Sequence, residues 1–153
     1  MQRLKQNIKM SDNQIFEAEK LSILEFKFLK DQVDTPEDFV IEKVIEYKIE
    51  NSLQLAFNLE EKLSKVDFSI EITTNCGDPN VKEASGSFHL VYVYKVENLE
   101  ELTVLNKSNL IEVQAVLTNA LSSITYSTSR GILFLRLQGT AVQNFMLPII
   151  NPN

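Results

Sequence analysis

The C-terminal half of the fold is decided by the segment Ile124-Thr-Tyr-Ser-Thr-Ser-Arg-Gly-Ile-Leu-Phe-Leu-Arg-Leu-Gln-Gly-Thr140. Its spacing predicts a helix over residues 122–138, because Gly139 is a favourable residue to end one. An extended tail is predicted over residues 144–152, where Pro148 and Pro152 disfavour helix. The segment carries no catalytic group, so we expect it to serve packing and assembly.

Gly131 lies in the middle of this predicted helix, where glycine costs about 1 kcal/mol relative to alanine. The close approach of another structural element is the usual compensation. Two interpretations remain open: the helix packs closely on the sheet of its own chain, or it contacts a helix of another copy. For the second interpretation, the candidate interface residues are Ser127, Gly131 and Leu135.

Upstream of the helix, apolar and polar residues alternate with the period of two that is typical of β-strands. We predict strands over residues 21–30 (with a bulge at Leu24), 47–59, 66–73 and 88–96. The last of these is apolar on both faces, which indicates a central strand or one whose second face is covered. The short connections favour a four-stranded antiparallel sheet. Residues 39–46 have no clear pattern.

Between the strands and the helix, residues 97–108 form a predicted crossover connection that is unusually aliphatic. Its four aliphatic side chains need a cover, and they are Leu99, Leu102, Val104 and Leu105. A first helical segment is predicted over residues 109–121, with Ser108 or Asn109 as its N-cap. The fold class is therefore α+β.

The chain has 153 residues and a net charge of −6, which fits one domain. We interpret residues 1–19 as a loose N-terminal arm and residues 20–153 as a single domain. The negative charge disfavours binding to nucleic acid and to anionic membranes. The single cysteine, Cys76, cannot form an internal disulfide and fits a reducing compartment. No run of apolar residues is long enough to span a membrane, so we expect a cytoplasmic protein without membrane insertion.

Catalytic motifs are missing from the sequence. His89 is the only histidine, so a zinc-type cluster with a second histidine is excluded. There is no glycine-rich phosphate loop, and nothing cationic flanks Cys76. We therefore expect no enzyme activity and no cofactor or metal. A small enzyme that uses His89 is a distant alternative.

The C-terminal elements, taken together, resemble the SecB family of protein-export chaperones, and its SecB-like branch most of all. In that family a Tyr-x-x-x-Arg helix ends in a Gly-Thr or Gly-Gly step and leads to a segment that contains proline and asparagine. The matching residues are Tyr126 with Arg130, Gly139 with Thr140, and Pro148 with Asn151. The family usually continues into a second helix that covers the groove, and we expect this helix to be truncated here.

The resemblance implies a homo-oligomer, a dimer or a dimer of dimers, with the long helices between the sheets. It implies ATP-independent binding of unfolded or preprotein chains in apolar grooves, lined by aromatic residues and the crossover, and a contact with the translocase motor. The candidate groove residues are Tyr92, Tyr94, Leu99, Leu102, Val104, Leu105 and Phe145. The alternative is an adaptor with one dedicated partner, such as an antitoxin-specific chaperone.

Overall fold

The computed structural model of the protein describes residues 17–149. Four long strands form one antiparallel sheet: β1 (Leu21–Asp34), β2 (Glu46–Asn58), β3 (Leu63–Asn75) and β4 (Ser85–Val96). A short hairpin of β5 (Thr103–Leu105) and β6 (Ile111–Val113) leads into one long helix, α1 (Ala115–Arg136). Single-turn 3-10 helices cover Ala18–Lys20, Ile41–Lys43 and Leu99–Leu102. The predicted α+β class with a four-stranded antiparallel sheet and a C-terminal helix is confirmed.

The strand order across the sheet is β1-β4-β3-β2, which makes β4 central and β2 an edge strand. One face of the sheet packs under α1 and is built from the alternating apolar residues of β3 and β4, which are almost completely buried. On the opposite face of β4, Val91 is also buried, and its cross-strand neighbours are Lys27 and Asp67. The prediction that the last long strand is central is confirmed.

Strand β1 carries two bulges. The pairing register with β4 shifts between Ile23 and Glu25 and again between Phe28 and Lys30, so that Leu24 and Leu29 are the extra residues. The bulge predicted at Leu24 is confirmed. The second bulge and the continuation of the strand to Asp34 were not predicted, because the extra residue at Leu29 reverses the alternation on which the prediction depended.

The predicted helix over residues 109–121 is wrong in its first six residues. Asn106 accepts hydrogen bonds from the backbone N–H groups of Ser108 and Leu110 through its side-chain oxygen, which closes a turn. Asn109 lies in that turn with a φ of 59°. Neither Ser108 nor Asn109 therefore caps a helix, and α1 begins only at Ala115 with Gln114 as its N-cap.

The second predicted helix, over residues 122–138, is confirmed as part of a single continuous helix. It ends at Arg136, two residues earlier than predicted. Gly139 follows with a φ of 79°, a conformation that glycine adopts without steric cost.

Helix α1 packs on the sheet through a row of buried residues spaced four apart, namely Leu117, Leu121, Thr125, Ser129 and Leu133. Two members of the row are polar, and both find partners on β4. The hydroxyl of Tyr94 lies 2.7 Å from that of Thr125, and the hydroxyl of Tyr92 lies 2.6 Å from that of Ser129. The two hydrogen bonds fix the position of the helix over the central strand.

After α1, the chain crosses towards the start of β2. Phe145 is buried there, with its ring centroid 5.5 Å from that of Tyr47. Tyr126 then donates a hydrogen bond of 2.7 Å to the carbonyl oxygen of Pro148, which holds the tail beside the helix. Most of the predicted arm, residues 1–16, and the end of the predicted tail, residues 150–152, lie outside the described residues.

Candidate functional site

An open apolar cleft lies between the edge strand β2 and helix α1. We call it the β2–α1 cleft, and its volume is about 640 Å³. It forms because α1 lies over β3 and β4, so the helix-facing side chains of β2 are only half-buried. The lining residues are Asn51, Leu53, Leu55, Phe68, Asn119, Ser122, Ser123, Tyr126, Ser127, Arg130 and Ile149. A volume of this size is in the range of ligand-binding clefts.

Aromatic and aliphatic side chains form the floor of the cleft. The ring of Tyr126 meets that of Phe68 edge to face, with centroids 5.9 Å apart. Burial raises the pKa of the Tyr126 phenol, and the charge of Arg130, which lines the same cleft, acts in the opposite direction. The cleft therefore combines an apolar floor with one positive charge at its wall.

The β2 side of the cleft offers backbone as well as side chains. β2 pairs with β3 alone among the strands of the described chain, so its outer edge has backbone N–H and C=O groups without a strand partner. Residues 51–57 of this strand carry no charged side chain. An uncharged free edge can accept an extended segment as an additional strand.

A second exposed apolar surface is the β5–β6 hairpin. Val104 is 47% exposed and Leu105 is 67% exposed, and Leu110 and Ile111 across the hairpin are also exposed. The structure thus places two of the predicted groove residues, Val104 and Leu105, on an accessible apolar surface.

The structure corrects the expectation that the other five predicted groove residues line an open groove. Tyr92 and Tyr94 have no exposed surface, because α1 covers them. Their hydroxyl groups are hydrogen-bonded to the hydroxyl groups of Ser129 and Thr125 on that helix. Leu99 and Leu102 are completely buried in a 3-10 turn that joins the core. Phe145 is buried against Tyr47. These side chains cannot contact a client in this conformation.

Most of the cleft residues were missed by reasoning from the sequence, although a signal for them exists. Leu53, Leu55 and Phe68 fall within two predicted strands, but the sequence did not predict which strand forms the edge. The absence of charge over residues 51–57, within a chain of 21 acidic and 15 basic residues, is the feature that could have indicated an exposed binding edge.

The three predicted interface residues are all exposed on α1, and one of them, Ser127, also lines the β2–α1 cleft. Ser127 and Gly131 are exposed, and Leu135 is 72% exposed. A Cβ atom added at Gly131 would meet no atom within 4 Å in the described chain. The interpretation that Gly131 permits close packing on the sheet of the same chain is therefore wrong, and contact with another copy stays a prediction.

His89 and Cys76 have ordinary structural partners. His89 lies on the face of the sheet opposite to α1, where its Nε2 is 2.7 Å from Oδ1 of Asp67. The backbone N–H of Cys76 donates to the carboxylate of Glu83, and this carboxylate raises the pKa of the Cys76 thiol, which opposes formation of a reactive thiolate. Within residues 17–149, no three His, Cys, Asp or Glu side chains are arranged to hold a metal ion. No helix in the same range is long and apolar enough to cross a membrane.

Comparison with known proteins identifies the fold. No protein-family model and no curated protein matches this sequence. Among solved structures, the chain is similar to the SecB-like chaperone Rv1957 of Mycobacterium tuberculosis, in complex with a ChAD peptide from the Rv1956 HigA1 antitoxin. The TM-score is 0.60 at 14% identity, and the match covers 88% of this chain and 93% of the chaperone.

A protein of unknown function from Streptococcus agalactiae matches over 86% of this chain and 97% of that one, with 10% identity and a TM-score of 0.43. The likeness to the SecB-like chaperone confirms, at the level of the fold, the resemblance predicted from the sequence. The chain has the SecB-like chaperone fold.

Proposed function

We propose that this protein is an ATP-independent, holdase-type chaperone that binds extended, unfolded polypeptide segments in the β2–α1 cleft. The observation that carries the proposal is an open apolar cleft beside a free, uncharged strand edge, on a SecB-like fold. Binding rather than catalysis is the role that these features support.

An extended segment fits the cleft by known physical means. Its backbone can pair with the free edge of β2, while alternate side chains contact the floor formed by Leu53, Leu55 and Phe68. The apolar hairpin of β5 and β6 offers a further contact for the same client. Such a chaperone holds its client by mass action on the unfolded state, and this needs no nucleotide.

The protein works, in this proposal, as a homo-oligomer, either a dimer or a dimer of dimers. The outer face of α1 supports this, since the helix has no charged residue between Ala115 and Ser129. An exposed helix face without charge is typical of a surface that packs against a partner. The edge strand β1, with Leu24 and Leu29 exposed at its bulges, is a second candidate interface.

Aggregation of a denatured client tests the holdase proposal. Without ATP, the protein at a near-stoichiometric ratio should delay light scattering. Ile149→Asp places a charge at the cleft on a side chain that is 82% exposed, so we expect it to weaken the delay without unfolding the protein. Ile45→Asp is the matched control, because Ile45 is similarly exposed and lies outside the cleft. If the wild-type protein gives no delay at several-fold excess, the proposal is wrong.

A dedicated chaperone for one partner is the second candidate function. It is supported by the antitoxin peptide bound to the SecB-like chaperone with the same fold. The two functions differ in breadth: a general holdase protects several unrelated denatured clients, whereas a dedicated chaperone protects one. The same light-scattering assay with a panel of clients separates them.

Protein export is the more specific form of the general proposal. It requires a cytoplasmic protein that binds preproteins and contacts the translocase motor. Sedimentation of the purified protein with the purified motor, in the presence and absence of a preprotein, tests this contact. Failure to co-sediment would remove the export role and leave the holdase proposal standing.

A further inference from the structure

Helix α1 carries two cations and no acidic residue. Arg136 is paired, with its Nε 2.8 Å from Oδ1 of Asp31 on β1. Arg130 has no ion pair with any carboxylate within residues 17–149, and it lines the β2–α1 cleft. Helix α1 therefore carries one arginine that is ion-paired outside the cleft, and one arginine in the cleft that has no ion pair within the described residues.

Among the described residues that line the cleft, Arg130 is also the only charged one. The opposite wall is formed by Asn51, Leu53 and Leu55 of β2, in a stretch (residues 51–57) that contains no charged side chain. Acidic side chains outnumber basic ones by six in the whole chain, yet no acidic side chain within residues 17–149 lines this site. A cleft with one cation, no anion and an apolar floor is complementary to a ligand with apolar groups and one negative charge.

The position of Arg130 increases the effect of its charge. Arg130 is half-buried and lines the cleft together with Tyr126, so water screens the guanidinium less than it would on an open surface. A guanidinium can bind a carboxylate through two parallel hydrogen bonds. A basic side chain at the same point of a client would instead be repelled.

We infer that the β2–α1 cleft selects client segments in which an aspartate or glutamate lies among apolar residues, with Arg130 binding the client carboxylate. This inference rests on the proposed function, since it states which extended segments the cleft prefers. Neutral apolar segments bind through the floor and the strand edge alone. Segments with a lysine in place of the acidic residue bind least well.

Fluorescence anisotropy with a matched peptide series tests the inference. The peptides are short, extended, labelled with a dye, rich in leucine and phenylalanine, and identical except for glutamate, glutamine or lysine at one central position. For the wild-type protein we expect the glutamate peptide to bind about 2- to 5-fold more tightly than the glutamine peptide, as a single partly exposed ion pair allows. Raising the salt concentration should reduce this ratio.

Two arginine variants assign the preference to one side chain. Arg130→Gln should abolish the difference between the glutamate and glutamine peptides, and Arg130→Lys should keep part of it. Arg136→Gln is the matched control, on the same helix but outside the cleft, and it should keep the full difference. Circular dichroism checks that each variant is folded.

The outcomes separate this inference from the proposed function. If the wild-type protein binds all three peptides equally, or if Arg130→Gln keeps the wild-type ratio, the inference is wrong while the cleft remains a binding site. If no peptide binds and the light-scattering delay is also missing, the proposed function itself is wrong. A photo-reactive group at the central peptide position should crosslink within the cleft. The inference would also be wrong if the peptide crosslinked only to residues outside the cleft and a second copy of the chain were found to occupy the cleft.

Discussion

Ser129→Ala tests how far the buried hydroxyl groups stabilise the contact between sheet and helix. The substitution leaves the hydroxyl of Tyr92, which has no exposed surface, without its partner 2.6 Å away. A buried polar group without a hydrogen bond costs about 1–3 kcal/mol. Alanine is the better helix former by roughly 0.5 kcal/mol, which offsets part of this cost. We therefore expect the free energy of unfolding to fall by about 1–2 kcal/mol.

The reverse change should be milder. Tyr92→Phe leaves the hydroxyl of Ser129, which can turn to the backbone carbonyl oxygen one helical turn earlier. We expect a loss of about 0.5–1 kcal/mol. The double variant replaces both hydroxyls with apolar groups of similar shape, so it should cost less than the sum of the single variants, by a coupling energy of about 1 kcal/mol.

Urea unfolding at one fixed protein concentration measures these free energies, since the stability of an oligomer depends on concentration. For a chain of this length, 1 kcal/mol corresponds to a change in melting temperature of roughly 2–4 °C. Strictly additive single variants would refute the proposed coupling. Tyr92→Phe should also leave the light-scattering delay intact. If that delay is lost from a folded variant, Tyr92 contacts the client after all.

Three further predictions concern pH, glycine and assembly. Burial raises the pKa of Tyr92 to about 12, so the folded state holds this proton more tightly than the unfolded state. This difference stabilises the folded state by about 2–3 kcal/mol below pH 10, and the stabilisation is lost between pH 10 and 12. Urea unfolding as a function of pH measures the free energy of unfolding, and a profile that stays flat over this range would contradict the prediction. Gly131→Ala should stabilise an isolated subunit by about 1 kcal/mol, because the added methyl group meets no neighbour within 4 Å. Gly86→Ala should destabilise the subunit, because its Cβ would lie 2.8 Å from the ring of Phe88. Equal melting temperatures for the two variants would count against this prediction. Leu135→Glu should lower the mass measured by light scattering if the outer face of α1 is the interface, and an unchanged mass would exclude that face.

The strands were readable from the sequence wherever one face of the strand is covered and the other is open. β3 is the clearest case, since every second residue from Val66 to Ile72 is buried. The same logic failed in the second half of β1, because the bulge at Leu29 exchanges the two faces. It failed again before α1, where the side chain of Asn106 closes a turn over residues that have helical spacing.

The site was harder to predict than the fold. Periodicity shows on which face Tyr92 and Tyr94 lie, but not how far a helix covers that face. Their partners, Ser129 and Thr125, are 37 and 31 residues away, and only the folded chain brings them together. The position of β2 at the edge follows from the strand order, which the alternation pattern does not contain. For this reason a groove was predicted but was assigned mostly to core residues.

The two tyrosine hydrogen bonds also determine which of several otherwise equivalent alignments the helix adopts. Four residues of α1 advance the chain by about 6.0 Å, and two residues of β4 advance it by roughly 6.7 Å, so the two repeats are nearly commensurate. Sliding the helix by four residues would therefore keep its apolar row on the sheet. One direction of sliding would place Leu133 opposite Tyr92, and the other would place Leu121 opposite Tyr94. Either shift buries a tyrosine hydroxyl against a leucine, so only one alignment satisfies both hydroxyls, and two polar atoms on the helix specify it.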